Sequence, residues 1–194
     1  MMKCAECEDK ECFTGKDCTN IREEIVQRYK NDKEALRVTK IATNLEGEYY
    51  MKLTRVEELM YFSKEMGYRN LGIAFCIGLS EEAKILEELL LKNGFEVTSV
   101  CCKVCGIDKR TFNLRRMVDE REEAMCNPIA QAEIMTRRGT DLNIIFDLCI
   151  GHDIIFSKYS NAPVTTLVVK DRVLAHNPLG ALYSKYYRQM LMRE

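Results

Sequence analysis

Cys4, Cys7, Cys12 and Cys18 put four thiols into 15 residues, spaced Cys-x2-Cys-x4-Cys-x5-Cys. The close pair makes a chelating turn, and two more thiols nearby complete a tetrahedron. The spacing is neither the ferredoxin run nor a common zinc-finger pattern, but four thiolates suit zinc or an iron–sulfur cluster equally. A redox pair at Cys4/Cys7 is the main competitor. A thioredoxin-type pair, however, opens a helix that follows a strand, and no strand precedes Cys4. The segment around these thiols has almost no aliphatic residues, so residues 1–20 read as a Cys-rich knuckle without a core of its own, and residues 21–194 as an α/β domain with N-terminal helices. A zinc ion would tie such a segment together.

The other six cysteines span 74 residues, from Cys76 to Cys149. What could bring them together is the pattern of elements around them. Residues 21–46 carry helical periodicity with a polar break at Asn31-Asp32 and a stop at Gly47. Thr54-Arg55-Val56-Glu57 is a capping box, and Gly67 closes the helix behind it. Then the rhythm changes. Apolar runs at 71–77, 95–102, 142–149 and 164–169 read as strands, with helices starting at Ser80 and at Asn127-Pro128 and a short one after Gly151. Strand and helix in alternation predict a three-layer α/β fold with a parallel sheet of about four strands in the order 2-1-3-4. Lys170-Asp171 allows a tight turn into a fifth, antiparallel edge strand over 172–175, and Asn177-Pro178 opens a final helix with Leu179, Leu182, Tyr186 and Met190 on one side.

On that fold Cys76, Cys102 and Cys149 end strands, Cys105 follows the second strand, and Cys126 precedes a helix N-terminus. The carboxyl ends of parallel strands share one edge, which is where open α/β sheets bind ligands. Helix N-termini there also stabilise thiolates. The bland alternative is that each strand-end cysteine is a small buried hydrophobe. Cys101 and Cys102 are adjacent and cannot both face the site, so Cys101 is assigned to the core. His152 follows Cys149 by three residues and can reach the same edge, whereas His176, placed after the return strand, is expected at the opposite edge beside the Asn177 cap.

Ten cysteines, no N-terminal apolar run and no apolar stretch long enough to span a bilayer indicate a cytoplasmic chain with reduced thiols. With 29 basic and 30 acidic side chains the net charge is −1, which gives no footprint for nucleic acid and no polybasic membrane patch. There is no phosphate-loop or dinucleotide fingerprint.

The blocks Cys-Asn-Pro-Ile-Ala-Gln-Ala-Glu (126–133), Gly-Thr-Asp-Leu-Asn (139–143), Leu-Cys-Ile-Gly-His-Asp (148–153), Lys-Tyr-Ser-Asn-Ala-Pro-Val-Thr (158–165) and Lys-Asp-Arg-Val-Leu-Ala-His-Asn-Pro (170–178) resemble an uncharacterised family of cysteine-rich prokaryotic predicted metal-binding proteins with a domain of unknown function. The resemblance implies metal binding. It also draws attention to Asn127, His152, Asp153 and His176, which belong to the quoted blocks.

The sequence therefore leads to two metal sites, each for zinc or an iron–sulfur cluster. One is drawn from Cys4, Cys7, Cys12 and Cys18, the other from Cys76, Cys102, Cys105, Cys126 and Cys149, with Asn127, His152 and Asp153 around the ligands. A cluster at the second site implies redox chemistry and a redox partner protein. Two rivals stand beside it: a thiol enzyme with Cys126 as nucleophile and His152 as base, and a zinc-stabilised module that recruits a partner protein.

Overall fold

The computed structural model describes residues 2–193. The chain divides into two compact units, residues 1–50 and 51–194.

The first unit opens with two single 3-10 turns, Cys4–Glu6 and Glu11–Thr14, none of whose residues is buried. Asp17 then organises the entry to helix α1 (Arg22–Asn31): its carboxylate accepts from the amides of Thr19 and Asn20 and from the Thr19 hydroxyl. These bonds hold its carboxyl at about 2, below the ordinary carboxylate value, the Thr19 amide contributing most. The break at Asn31-Asp32 is a helix boundary. Asp32 caps α2 (Lys33–Tyr49) by accepting from the Ala35 amide. Gly47 does not stop α2, which continues through it to Tyr49. One glycine in a helix costs only about 1 kcal/mol relative to alanine.

The second unit is the α/β fold. Thr54 and Glu57 form the capping box of α3 (Arg55–Met66), and Gly67 closes it in the left-handed region. Strands β1 (Asn70–Phe75), β2 (Glu96–Cys101), β3 (Leu142–Phe146) and β4 (Val164–Val168) pair in parallel in the order β2-β1-β3-β4. Helices α4 (Ser80–Lys92), α5 (Pro128–Arg138) and α6 (His152–Tyr159) make the crossovers. Leu71, Ile73, Ile144 and Phe146 pack with Leu59 of α3 and with Ala83, Leu86 and Leu90 of α4 on one face. Ala74, Val100 and Ile145 pack with Ala132 and Met135 of α5 and Phe156 of α6 on the other. Alternate strand residues thus feed opposite helical layers. Gly72 is required by this packing: a Cβ there would overlap Asn143 Oδ1 and lie 2.8 Å from Met135 Sδ. From β1 the chain turns towards β2, and from β3 towards β4, so the switch point lies between β1 and β3.

Two expectations are corrected. The antiparallel edge strand over 172–175 is absent. The Asp171 side chain accepts from the amides of Val173 and Leu174, and Ala175 and His176 take positive φ, so the segment coils into a turn instead of extending. The final helix is two short ones, α7 (Leu179–Tyr183) and α8 (Lys185–Leu191), divided where Ser184 caps the second. Leu179, Leu182, Tyr186 and Met190 are exposed.

Candidate metal centre

Three loops carry the thiols to the carboxyl edge of the sheet. After β1 the chain makes a 3-10 turn, Ile77–Leu79, capped by Cys76, whose sulfur accepts from the Gly78 amide. After β2 the Cys102 amide continues the ladder by donating to Phe75 O at 2.8 Å. After β3, Asp147 takes φ +66, and Cys149 stands just ahead of α6, its carbonyl accepting from the amides of His152 and Asp153. The strands end one to three residues before the apolar runs do, so Cys76, Cys102 and Cys149 lie within three residues beyond the strands.

Cys126, Cys149 and His152 form a compact group in which the ligand atoms all lie within 4.8 Å of one another, and no other such trio of His, Cys, Asp or Glu occurs among the described residues. Two thiolates bound to one ion at about 2.3 Å stand at most about 4.6 Å apart, so the group can close on a single metal ion with little movement. All three residues are partly buried. The Nδ1 atom of His152 is buried without a hydrogen-bond partner. An unpaired buried polar atom costs about 1–3 kcal/mol, a cost that coordination through Nδ1 would remove. Two sulfurs and one imidazole suit zinc and related transition metals, and three protein ligands leave a fourth position open.

Cys102 is buried in one core cluster with Cys76, and Cys126 packs against that cluster. The Cys102 thiol stays protonated, pushed far up by the two neighbouring sulfurs and by burial. Cys126 is lowered to about 5, mainly by the Cys102 thiol, with help from Lys103 and His152 and against burial. Cys76 is also lowered to about 5, by Cys102 first, and then, against burial, by Lys170 and the Gly78 amide.

The loop after β4 completes the edge. Lys170 forms a buried ion pair with Asp147, and Arg172 Nη2 reaches Cys149 Sγ at 3.4 Å. Burial alone would lower Lys170, but Asp147 and Cys76 beside it outweigh that and raise it. His176 is here too, not at the opposite edge, because no return strand carries it away. Its Nδ1 lies 2.8 Å from Asp147 Oδ1, off the direction of a hydrogen bond. Asp147, Lys170 and Arg172 were not singled out in the sequence. The only signals for them were the carboxylate directly after the third strand and a Lys-Asp-Arg run that also reads as an ordinary turn.

The remaining candidates have other surroundings. Asn127 caps α5, its Oδ1 accepting from the Ala130 amide, and its own amide donates to Cys102 O at 2.7 Å, which fixes Cys126 against Cys102. Asp153 spends one carboxylate oxygen on the amides of Gly151 and Ile154. Cys105 is exposed at φ +70, and Cys101 accepts from the Lys103 amide. Cys4, Cys7, Cys12 and Cys18 are all exposed, Cys7 donating to Asp9 Oδ1 at 3.0 Å, and no three of their sulfurs fall within 4.8 Å of one another.

Fold and site together define a cysteine-rich α/β protein with a Cys/His group at the carboxyl edge of a doubly wound parallel sheet. Residues 12–167 match the model of a family described as a protein of unknown function, DUF1847, and the chain belongs to that family. An uncharacterised protein of Methanocaldococcus jannaschii is 56% identical over 192 residues, covering 98% of each chain. No solved structure matches. Among the described residues no helix is long and apolar enough to cross a membrane.

Proposed function

We propose that the protein binds a transition-metal ion of the zinc type through Cys126, Cys149 and His152, with the fourth position open to a water or an incoming ligand. The observation that carries this reading is the convergence of two thiols and an imidazole within 4.8 Å. The cationic surroundings fit it: Arg172 beside Cys149, Lys103 near Cys126, and the N-termini of α5 and α6 all favour thiolates. A bound ion would polarise whatever occupies the open position. Cys4, Cys7, Cys12 and Cys18 remain a second, separate proposal. Four exposed thiols in a segment without buried residues suit an ion that organises its own ligands on binding.

The test is metal analysis with absorption spectra on anaerobically purified protein, on Cys149→Ser and on a form lacking residues 2–20. One equivalent of colourless metal lost with Cys149→Ser and kept on truncation is the expected result. Iron with a visible charge-transfer band would replace the zinc-type ion by a cluster and give the protein a redox role with a redox partner. Metal content indifferent to Cys149→Ser would sink the edge site.

The low Cys126 thiol next to His152 favours one second reading, a thiol enzyme with Cys126 as nucleophile and His152 as base. In that case Cys126→Ser removes thiol reactivity while the metal content stays as it was.

A further inference from the structure

Cys76 and Cys102 lie at the same edge but outside the Cys126, Cys149 and His152 group. The β1–β2 register ends at Phe75 opposite Cys101, and the Cys102 amide extends the ladder one step by bonding Phe75 O. Cys76 and Cys102 therefore stand side by side across neighbouring parallel strands. Both side chains enter the same core cluster as Ala74 and Val100, two residues earlier on each strand, so they project from one face. Neighbouring strands run about 4.8 Å apart, inside the range of about 4.4–6.8 Å between Cα atoms that a disulfide spans. Both sulfurs accept from the turn that follows β1: Ile77 donates its amide to Cys102 Sγ at 3.5 Å and Gly78 donates its amide to Cys76 Sγ at 3.5 Å. With Cys76 8% and Cys102 2% exposed, only a very small oxidant can reach the pair.

From this geometry we infer that Cys76 and Cys102 are a redox-active dithiol that reduces hydrogen peroxide, a function separate from the metal centre. The Cys76 thiolate attacks one peroxide oxygen and the O–O bond breaks. The departing hydroxide takes a proton from solvent and leaves as water, and Cys76 becomes a sulfenic acid. Cys102 sulfur then attacks the Cys76 sulfur, the S–O bond breaks, and the hydroxyl leaves with the Cys102 proton as a second water. The two thiols lose two electrons, the peroxide gains two, and a Cys76–Cys102 disulfide remains. Cys76 is the attacking residue and Cys102 the resolving one.

The test treats the reduced full-length protein with one equivalent of hydrogen peroxide, traps free thiols by alkylation and maps peptides by mass. Cleavage after Lys and Arg leaves Cys76 in residues 70–84 and both Cys101 and Cys102 in 93–103, so Cys101→Ser is run in parallel to assign the link. A cross-link between the two peptides, kept in Cys101→Ser, lost in Cys102→Ala and reversed by dithiothreitol, is expected. In Cys102→Ala, Cys76 should instead be recovered as sulfenic or sulfinic acid. Should Cys102→Ala not fold, the wild-type and Cys101→Ser maps decide alone. A Cys102–Cys126 link, or Cys76 and Cys102 recovered alkylated while other thiols are oxidised, would overturn the inference. Metal content measured on the same samples keeps this outcome apart from the fate of the metal proposal.

Discussion

The chain carries thiols in two different physical settings. Those of the first unit are neighbours in sequence, exposed, and tied down only by local turns. Those of the second unit are spread from Cys76 to Cys149 and, apart from the exposed Cys105, are partly or fully buried at the edge of a sheet held by two layers of core. A metal site of the first kind would have to be organised by its ion, because nothing else brings the sulfurs together. The second is prepared beforehand, because the ordering is done by packing that exists for other reasons. Proximity in sequence turns out to be a poor guide here: the closely spaced cysteines do not converge, and the dispersed ones do.

The sharpest way to break this contrast is to remove one edge ligand. Cys149→Ser should weaken edge metal binding by more than the roughly 10–100-fold that changes to the ligands' partners cost. Truncation of residues 2–20 should leave it unchanged, as read by metal titration. If truncation empties the edge as well, the two settings are not independent. Next comes the core that orders the edge. Phe156 is fully buried between α6 and the sheet, and Phe156→Ala should cost about 3–5 kcal/mol in denaturant unfolding. Edge metal should be lost along with it, and no mutation of comparable cost exists around Cys4–Cys18, where nothing is buried. Gly72→Ala should follow at about 1–3 kcal/mol, because its Cβ would meet Asn143 and Met135.

Arg172→Gln is a finer probe. It takes the guanidinium from Cys149 without touching a proposed ligand, and should weaken edge metal binding by no more than about 10-fold. An unaltered affinity would mean that the cation serves the fold rather than the thiolate. The smallest effect belongs to the first unit. An NMR titration of the Asp17 carboxyl should give a midpoint near 2. A depressed folded-state value stabilises the turn above the ordinary carboxylate value, and that contribution fades as the pH falls towards 2. A midpoint at the ordinary value would mean that the turn entering α1 is not formed in solution.

Much of this arrangement was readable in advance. The strand order follows from the alternation of apolar runs with helix starts, the capping box of Thr54 and Glu57 is a four-residue pattern, and Asn127-Pro128 marks the start of α5 by local chemistry alone. These are short-range features, and short-range physics decides them. What failed was long-range or marginal. The segment 172–175 has strand-forming residues, but the Asp171 side chain bonds captured its backbone first. That is why His176 returned to Asp147 and to the edge it was expected to leave.

By itself the sequence determined that there would be a parallel sheet, that its carboxyl edge would gather cysteines, and that His152 stood close enough along the chain to reach that edge. Each depends only on the order of elements and on the fact that parallel strands all end on one side. Which sulfurs meet was left to the tertiary structure. The β1–β2 register put Cys102 beside Cys76, the Asn127 backbone bond to Cys102 O set Cys126 near it, the first residues of α6 brought His152 to Cys149 and Cys126, and the turn after β4 delivered Lys170 and Arg172. Such contacts hang on register and rotamer, to which the identity of neighbours along the chain is blind.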